Sequence, residues 1–137
     1  MVLSDAAQLM IGLAFISIPT IEFGGRFLLS QLGNPNSVIT SAEQAAYFRA
    51  GHAHAGVLVI LAIVGQIAAD SIAVSSVIEW GIRILLFAAP ILMSAGFFLG
   101  APTGKSKRPG RLISILYGGA LCLAVGTIGL GGALIFT

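Results

Sequence analysis

The chain has 137 residues, 57% of them hydrophobic and only 9% charged, with a mean hydropathy of +1.01. Such a composition leaves no polar surface to show to water, so lipid is its solvent and a hidden soluble catalytic domain is excluded. The formal charge of +2 and the pI near 9.1 come from a few clustered residues that report membrane orientation, which excludes nucleic acid as a partner.

Crossing a hydrocarbon core about 30 Å thick takes roughly 20 residues, so four spans use up nearly the whole length. The expected fold is all-α: a single transmembrane domain, residues 1–137, built as an integral membrane four-helix bundle with helices at about 6–32, 42–70, 74–100 and 111–136. Residues Met1 to Asp5 lack the basic flank of a cleaved signal peptide, and the first helix is expected to be retained.

The first span carries Pro19, Glu22 and Arg26 and ends in the turn cluster Gly33-Asn34-Pro35-Asn36. Thr40 or Ser41 can cap the second, with Glu43 or Gln44 in its first turn, and apolar residues continue to Asp70 and Ser71. In the third, Glu79 and Arg83 sit four apart and Pro90 falls near the middle. The loop 101–110 holds Lys105, Lys107 and Arg108, three of the seven basic residues, with Arg111 just after it. By the positive-inside rule the loops 33–41 and 101–110 are cytoplasmic and both termini lie outside the cell membrane.

The fourth span is rich in glycine. Gly118, Cys122 and Gly126 form one stripe of small residues, and Gly96 with Gly100 on the third span forms another; both are expected to permit close helix packing, within or between subunits. Cys122, the single cysteine, is read as a packing residue, since no internal disulfide is possible.

Ionisable groups inside a span cost roughly 2.5 to 3.5 kcal/mol at the helix centre, so each needs a partner or a purpose. Glu22, Arg26, Arg49, His52 and His54 all lie toward the end of their helices nearest the first loop and can share one depth. Glu22 and Arg26, spaced i, i+4, can pair within their helix. His52 and His54 are two residues apart, about 200° around a helix, so they point to nearly opposite sides and cannot easily chelate one metal; each can serve a different neighbour. Neutral imidazole is a ligand for haem iron and for copper, and Gly51, Ala53, Ala55 and Gly56 leave room for a flat macrocycle. Arg49 or Arg26 can neutralise a propionate, and Glu22 is available as a further ligand. The alternative is that both histidines only hydrogen-bond across the bundle or reach headgroups.

His52-Ala53-His54 on the second of four helices resembles the His-x-His of the haem-copper oxidase and nitric oxide reductase superfamily, whose catalytic subunit arranges twelve helices as three arcs of four. The chain also resembles small four-helix bacterial membrane proteins with a glutamate late in helix one and a His-x-His on helix two. The resemblance implies a homotrimer that mimics the twelve-helix subunit, with haem b or copper held by His52 and His54 of each copy and a redox partner to exchange electrons. The additional histidines of that family's copper site, and the tyrosine cross-linked to one of them, have no counterparts here, and charge places the histidines toward the opposite membrane face.

The functional expectation is a haem- or copper-binding membrane protein of redox, gas-handling or metal-handling type. The competing expectations are a small proton or solute channel lined by the same polar residues, and an accessory subunit of a larger membrane complex. Both lysines lie in a loop, which argues against a retinal Schiff base in the bundle, and no Cys-x-x-Cys, phosphate loop or His-Glu-x-x-His occurs.

Overall fold

Ser4 and Ser41 start the first two helices as their side chains dictate. Each sits in extended backbone just before a helix, and its hydroxyl accepts from the amide three residues on, that of Ala7 and of Gln44. Gln44 reaches back, its Oε1 accepting from the Thr40 amide at 2.8 Å, so the start of the second helix is capped from both directions. The computed structural model describes residues 2–104 and 106–136. Its helices are α1 (Asp5–Gln31), α2 (Ala42–Ala69), α3 (Ser76–Leu99) and α4 (Ser114–Phe136). Each is long and apolar enough to cross a membrane, and the described residues contain no strand.

The differences from the sequence-based bounds are local. Arg111–Ile113 forms a 3-10 turn ahead of α4, because the chain is held tightly there: the Gly110 amide donates to the Gly100 carbonyl at 3.0 Å, and a methyl group on Gly100 would lie 2.8 Å from the Ile113 Cα. At the end of α1 the chain turns through Gly33 with φ +67°, a left-handed conformation that costs glycine least.

Packing follows chain order. α1 lies against α2, α2 against α3 and α3 against α4; α1 meets α3, and α2 meets α4, only marginally, and among the described residues α1 and α4 do not meet. The bundle is therefore an open row with α1 and α4 as its edges. Its core runs along the two inner helices through Leu58, Val59, Ala62, Ile82, Leu86, Ala89 and Met93. The Lys107–Glu43 ion pair, 3.6 Å, brings the 101–110 loop to the start of α2, so both long loops occupy one end of the row.

Glycine sets the closest contact, between α3 and α4. A methyl group on Gly96 would lie 2.2 Å from the Leu116 backbone nitrogen, and one on Gly119 would lie 2.6 Å from that of Met93. The stripe on α4 is Gly119 and Gly126, seven residues apart on the face turned to α3. Gly118, expected to belong to it, is exposed, with nothing within 4 Å of a methyl group there.

The opposite end is tied by a buried polar cluster. Arg83 is 0% exposed and is the largest buried side chain of the protein. Its guanidinium donates to the Asp70 and Glu79 carboxylates and, at 2.9 Å, to the Gln66 carbonyl, while the Gln66 amide donates to the Arg83 carbonyl at 3.1 Å. Asp70 also accepts from the Ser4 amide at 2.9 Å and the Ser4 hydroxyl at 2.6 Å, which pins the start of α1 to the end of α2. Burial alone would raise the Asp70 carboxyl, but the Ser4 hydrogen bonds and Arg83 outweigh it and hold the group below its ordinary value of 3.8.

Two outcomes are expected in detergent. Gly96→Ala should lower the thermal midpoint clearly because backbone blocks the new methyl, whereas Gly118→Ala should leave it unchanged. Asp70→Asn should cost about 1.5–3 kcal/mol at neutral pH, the usual worth of hydrogen bonds to a charged group. With its folded pKa depressed, Asp70 contributes fully above its unfolded value, near 4, and loses the contribution as pH falls through the lower folded value. The gap between wild type and Asp70→Asn should therefore narrow at pH 3, as read by thermal melts at the two pH values.

Candidate functional site

α2 presents its two histidines to different neighbours. The ring of His52 faces α1 at Gly24 and Gly25, where a methyl group on Gly25 would lie 3.1 Å from both Cε1 and Nε2. The ring of His54 faces α3, with its centroid 4.8 Å from that of Phe97. The rotation of about 200° between them thus becomes a division between the two helices that flank α2.

His54 is further fixed by its own helix. Its Nδ1 lies 2.7 Å from the Ala50 carbonyl oxygen. A carbonyl only accepts, so Nδ1 carries the proton and, in the neutral ring, Nε2 keeps its lone pair. Ligating histidines are commonly oriented in this way by a second hydrogen bond.

His52 lies in an open groove of about 470 Å³ between α1 and α2, together with Glu22 and Arg26. Ile18, Ile21, Val59 and Ile60 make its apolar walls. Gly25 and Gly56 contribute no side chain, and at Gly56 even an added methyl group would touch nothing within 4 Å. Counted along the helices at about 1.5 Å per residue, Glu22 and His52 each lie about 5–6 Å from mid-helix, inside a hydrocarbon core about 30 Å thick.

Glu22 and Arg26 are both exposed, and among the described residues neither has a hydrogen-bond or ion-pair partner. The pairing along α1 that their spacing permits is not made, although both line the same groove. An edge helix therefore carries two ionisable groups at hydrocarbon depth with no other side chain to answer them.

Of the five residues singled out in the sequence, the structure brings Glu22, Arg26 and His52 into one groove. His54 stands on the far side of α2. Arg49 lines a neighbouring cleft between the end of α1, the 32–41 loop and the start of α2, and of its lining residues only Gly25 is common to the two. Among the described residues no three His, Cys, Asp or Glu side chains converge as metal ligands, so Glu22, His52 and His54 of one chain do not form a single metal site.

A smaller cavity of about 210 Å³ adjoins the groove through Ile21 and Val59 and is lined also by Ser17, Thr20, Pro90 and Ser94. The Ser94 hydroxyl is buried there without a partner. The polar cluster around Arg83 was only half visible in the sequence, where Glu79 and Arg83 stand four apart but Gln66 looks isolated. The available signal was the Gln66–Asp70 spacing, also four, across a hairpin of only a few residues. No protein-family model, curated protein or solved structure matches the chain.

The hydrogen bond of His54 fixes its tautomer. Nitrogen NMR of ring-labelled protein should show the neutral His54 ring protonated at Nδ1 and unprotonated at Nε2; protonation at Nε2 would mean that the Ala50 contact is not the one described.

Proposed function

We propose that the protein binds haem in the α1/α2 groove, where His52 would be its protein ligand, and serves electron transfer or the handling of a small gas. The observation that carries this reading is a half-buried imidazole in an apolar groove, set against the bare backbone of Gly25 with open space at Gly56, beside an arginine and a glutamate that no other described residue engages.

The residues present fit a haem better than a copper ion. A copper site draws several nitrogen or sulfur donors to one point, whereas a haem brings four nitrogens of its own and asks the protein for one or two. In this reading His52 supplies a ring nitrogen, Arg26 neutralises a propionate, and the isoleucine and valine walls exclude water from the macrocycle. Gly25 lets the imidazole lie against α1, and Gly56 leaves open space in the groove. Glu22 places a carboxylate in the same groove, where it can take up or release a proton. A bound haem would supply a one-electron redox centre and an iron position for a diatomic gas.

The groove is one-sided, and the charged face of α1 would otherwise meet lipid. A homo-oligomer covers it, and a trimer is favoured: three open rows can close as a ring in which the α1 edge of one copy meets the α4 edge of the next. His54, with its Nε2 lone pair, then offers a second ligand on the other side of α2 once Phe97 gives way. The likeness to one arc of the haem-copper oxidases motivates both suggestions, while the charge rule separately puts the two long loops on the cytoplasmic side.

Titration of the detergent-purified protein with haemin tests the reading. One haem per chain is expected, with a Soret band shifted from that of free haemin. His52→Ala should abolish the shift, and Gly25→Leu should weaken binding at least tenfold by crowding Nε2, while Arg108→Gln in the exposed 101–110 loop should bind as wild type does. Equal spectra for wild type and His52→Ala would refute the ligand assignment.

A further inference from the structure

Arg49 is the remaining unanswered charge of the membrane-embedded surface. Its side chain is exposed, and among the described residues it has neither a hydrogen-bond nor an ion-pair partner. It lines a cleft of about 440 Å³ whose other walls are Leu28, Leu29 and Leu32 on one side and Ser37 and Ser41 on the other. The loop that closes this cleft is held in place: the Gln31 Oε1 accepts from the Ser37 hydroxyl at 3.1 Å and from the Val38 amide at 3.0 Å. Apolar surface and polar rim therefore meet at a fixed place, with a free guanidinium between them.

Depth decides what kind of group reaches it. α2 has 28 residues, about 42 Å at 1.5 Å per residue, so each end extends about 6 Å beyond a hydrocarbon core about 30 Å thick. Arg49 is seven residues from the start of α2, and its Cα falls about 4–5 Å inside that boundary. A long side chain there extends toward the interface and places its charge at the level of lipid phosphates. On α1 the same counting puts Gly25 inside that boundary, Leu28 at it, and Leu29 and Leu32 outside it, at headgroup level.

Charge selects the lipid. Among the described residues, the end of the row that carries both long loops holds Arg26, Arg49, Lys107, Arg108 and Arg111 against Glu22 and Glu43, whereas Asp5, Asp70 and Glu79 with Arg83 belong to the other end. Basic clefts between helices at such a face bind anionic headgroups.

We propose that the cleft beside Arg49 is a binding site for an anionic phospholipid, with the phosphate on the Arg49 guanidinium, the glycerol against Leu28 and Leu29, and an acyl chain running inward past Gly25. The site is separate from the His52 groove and does not depend on haem. An anionic lipid bound here would brace the 32–41 loop against α2 and the end of α1, the edge helix least supported by the rest of the row.

The test uses the full chain in detergent, titrated with dioleoylphosphatidylglycerol or dioleoylphosphatidylcholine, with bound lipids counted by native mass spectrometry. Phosphatidylglycerol should bind about fivefold more tightly, the worth of one basic group at the membrane surface. Arg49→Gln should reduce it to the level of phosphatidylcholine, Arg49→Lys should retain most of the preference, and Lys107→Gln with Arg108→Gln should keep it. Four results would overturn the proposal: equal binding of the two lipids by wild type, a preference that survives Arg49→Gln, an equal loss from the loop variants, or displacement of the lipid by inorganic phosphate at matching concentration. Should Arg49→Gln fail to fold, the two-lipid comparison and Arg49→Lys still decide.

Discussion

A charge inside the hydrocarbon must be answered, and this chain answers its charges in two opposite ways. Arg83 is withdrawn from lipid completely, with two carboxylates, a side-chain amide and a backbone carbonyl around it. Glu22, at similar distance from mid-helix, and Arg26, one turn nearer the end, are left exposed on an edge helix. The first arrangement is closed within one chain and reads as construction: it fastens α1 to α2 and α2 to α3 at one end. The second is open: no described residue of the chain answers it.

The architecture places that opening where it is. Helices packed in chain order, with glycine drawing α3 and α4 together, leave α1 attached mainly along one side of α2. Gly25 and Gly56 add no side chain to the groove between them, and it carries an imidazole because the two-residue spacing in α2 turns His52 to α1 and His54 to α3. Small residues thus serve different ends in different places. On α3 and α4 they bring backbones into contact; on α1 and α2 they hold a space.

The spans and their breaks were legible in the sequence because apolar length, serine caps and the glycine and proline turns act locally. The opposed directions of His52 and His54 were legible for the same reason, following from helix geometry alone. Which glycines of α4 face α3 was not, since Gly118 and Gly119 are equivalent until the rotation of the helix is fixed by its partner. The grouping of Glu22 with His52, and the separation of Arg49 from both, depend on how α1 leans on α2, a tertiary fact. Arg83 looked like half of an i, i+4 pair, and its burial comes from residues brought back by the 70–75 hairpin.

The account rests on His52 being a haem ligand, and the most direct measurement is the absorption spectrum of protein purified from its native membranes, oxidised and then dithionite-reduced, with iron and copper determined on the same sample. The account predicts a Soret band that sharpens and shifts on reduction, with iron in proportion to chain. A folded, colourless protein without stoichiometric iron would contradict it and would leave the open face of α1 to be explained by a partner chain or by a path for solutes.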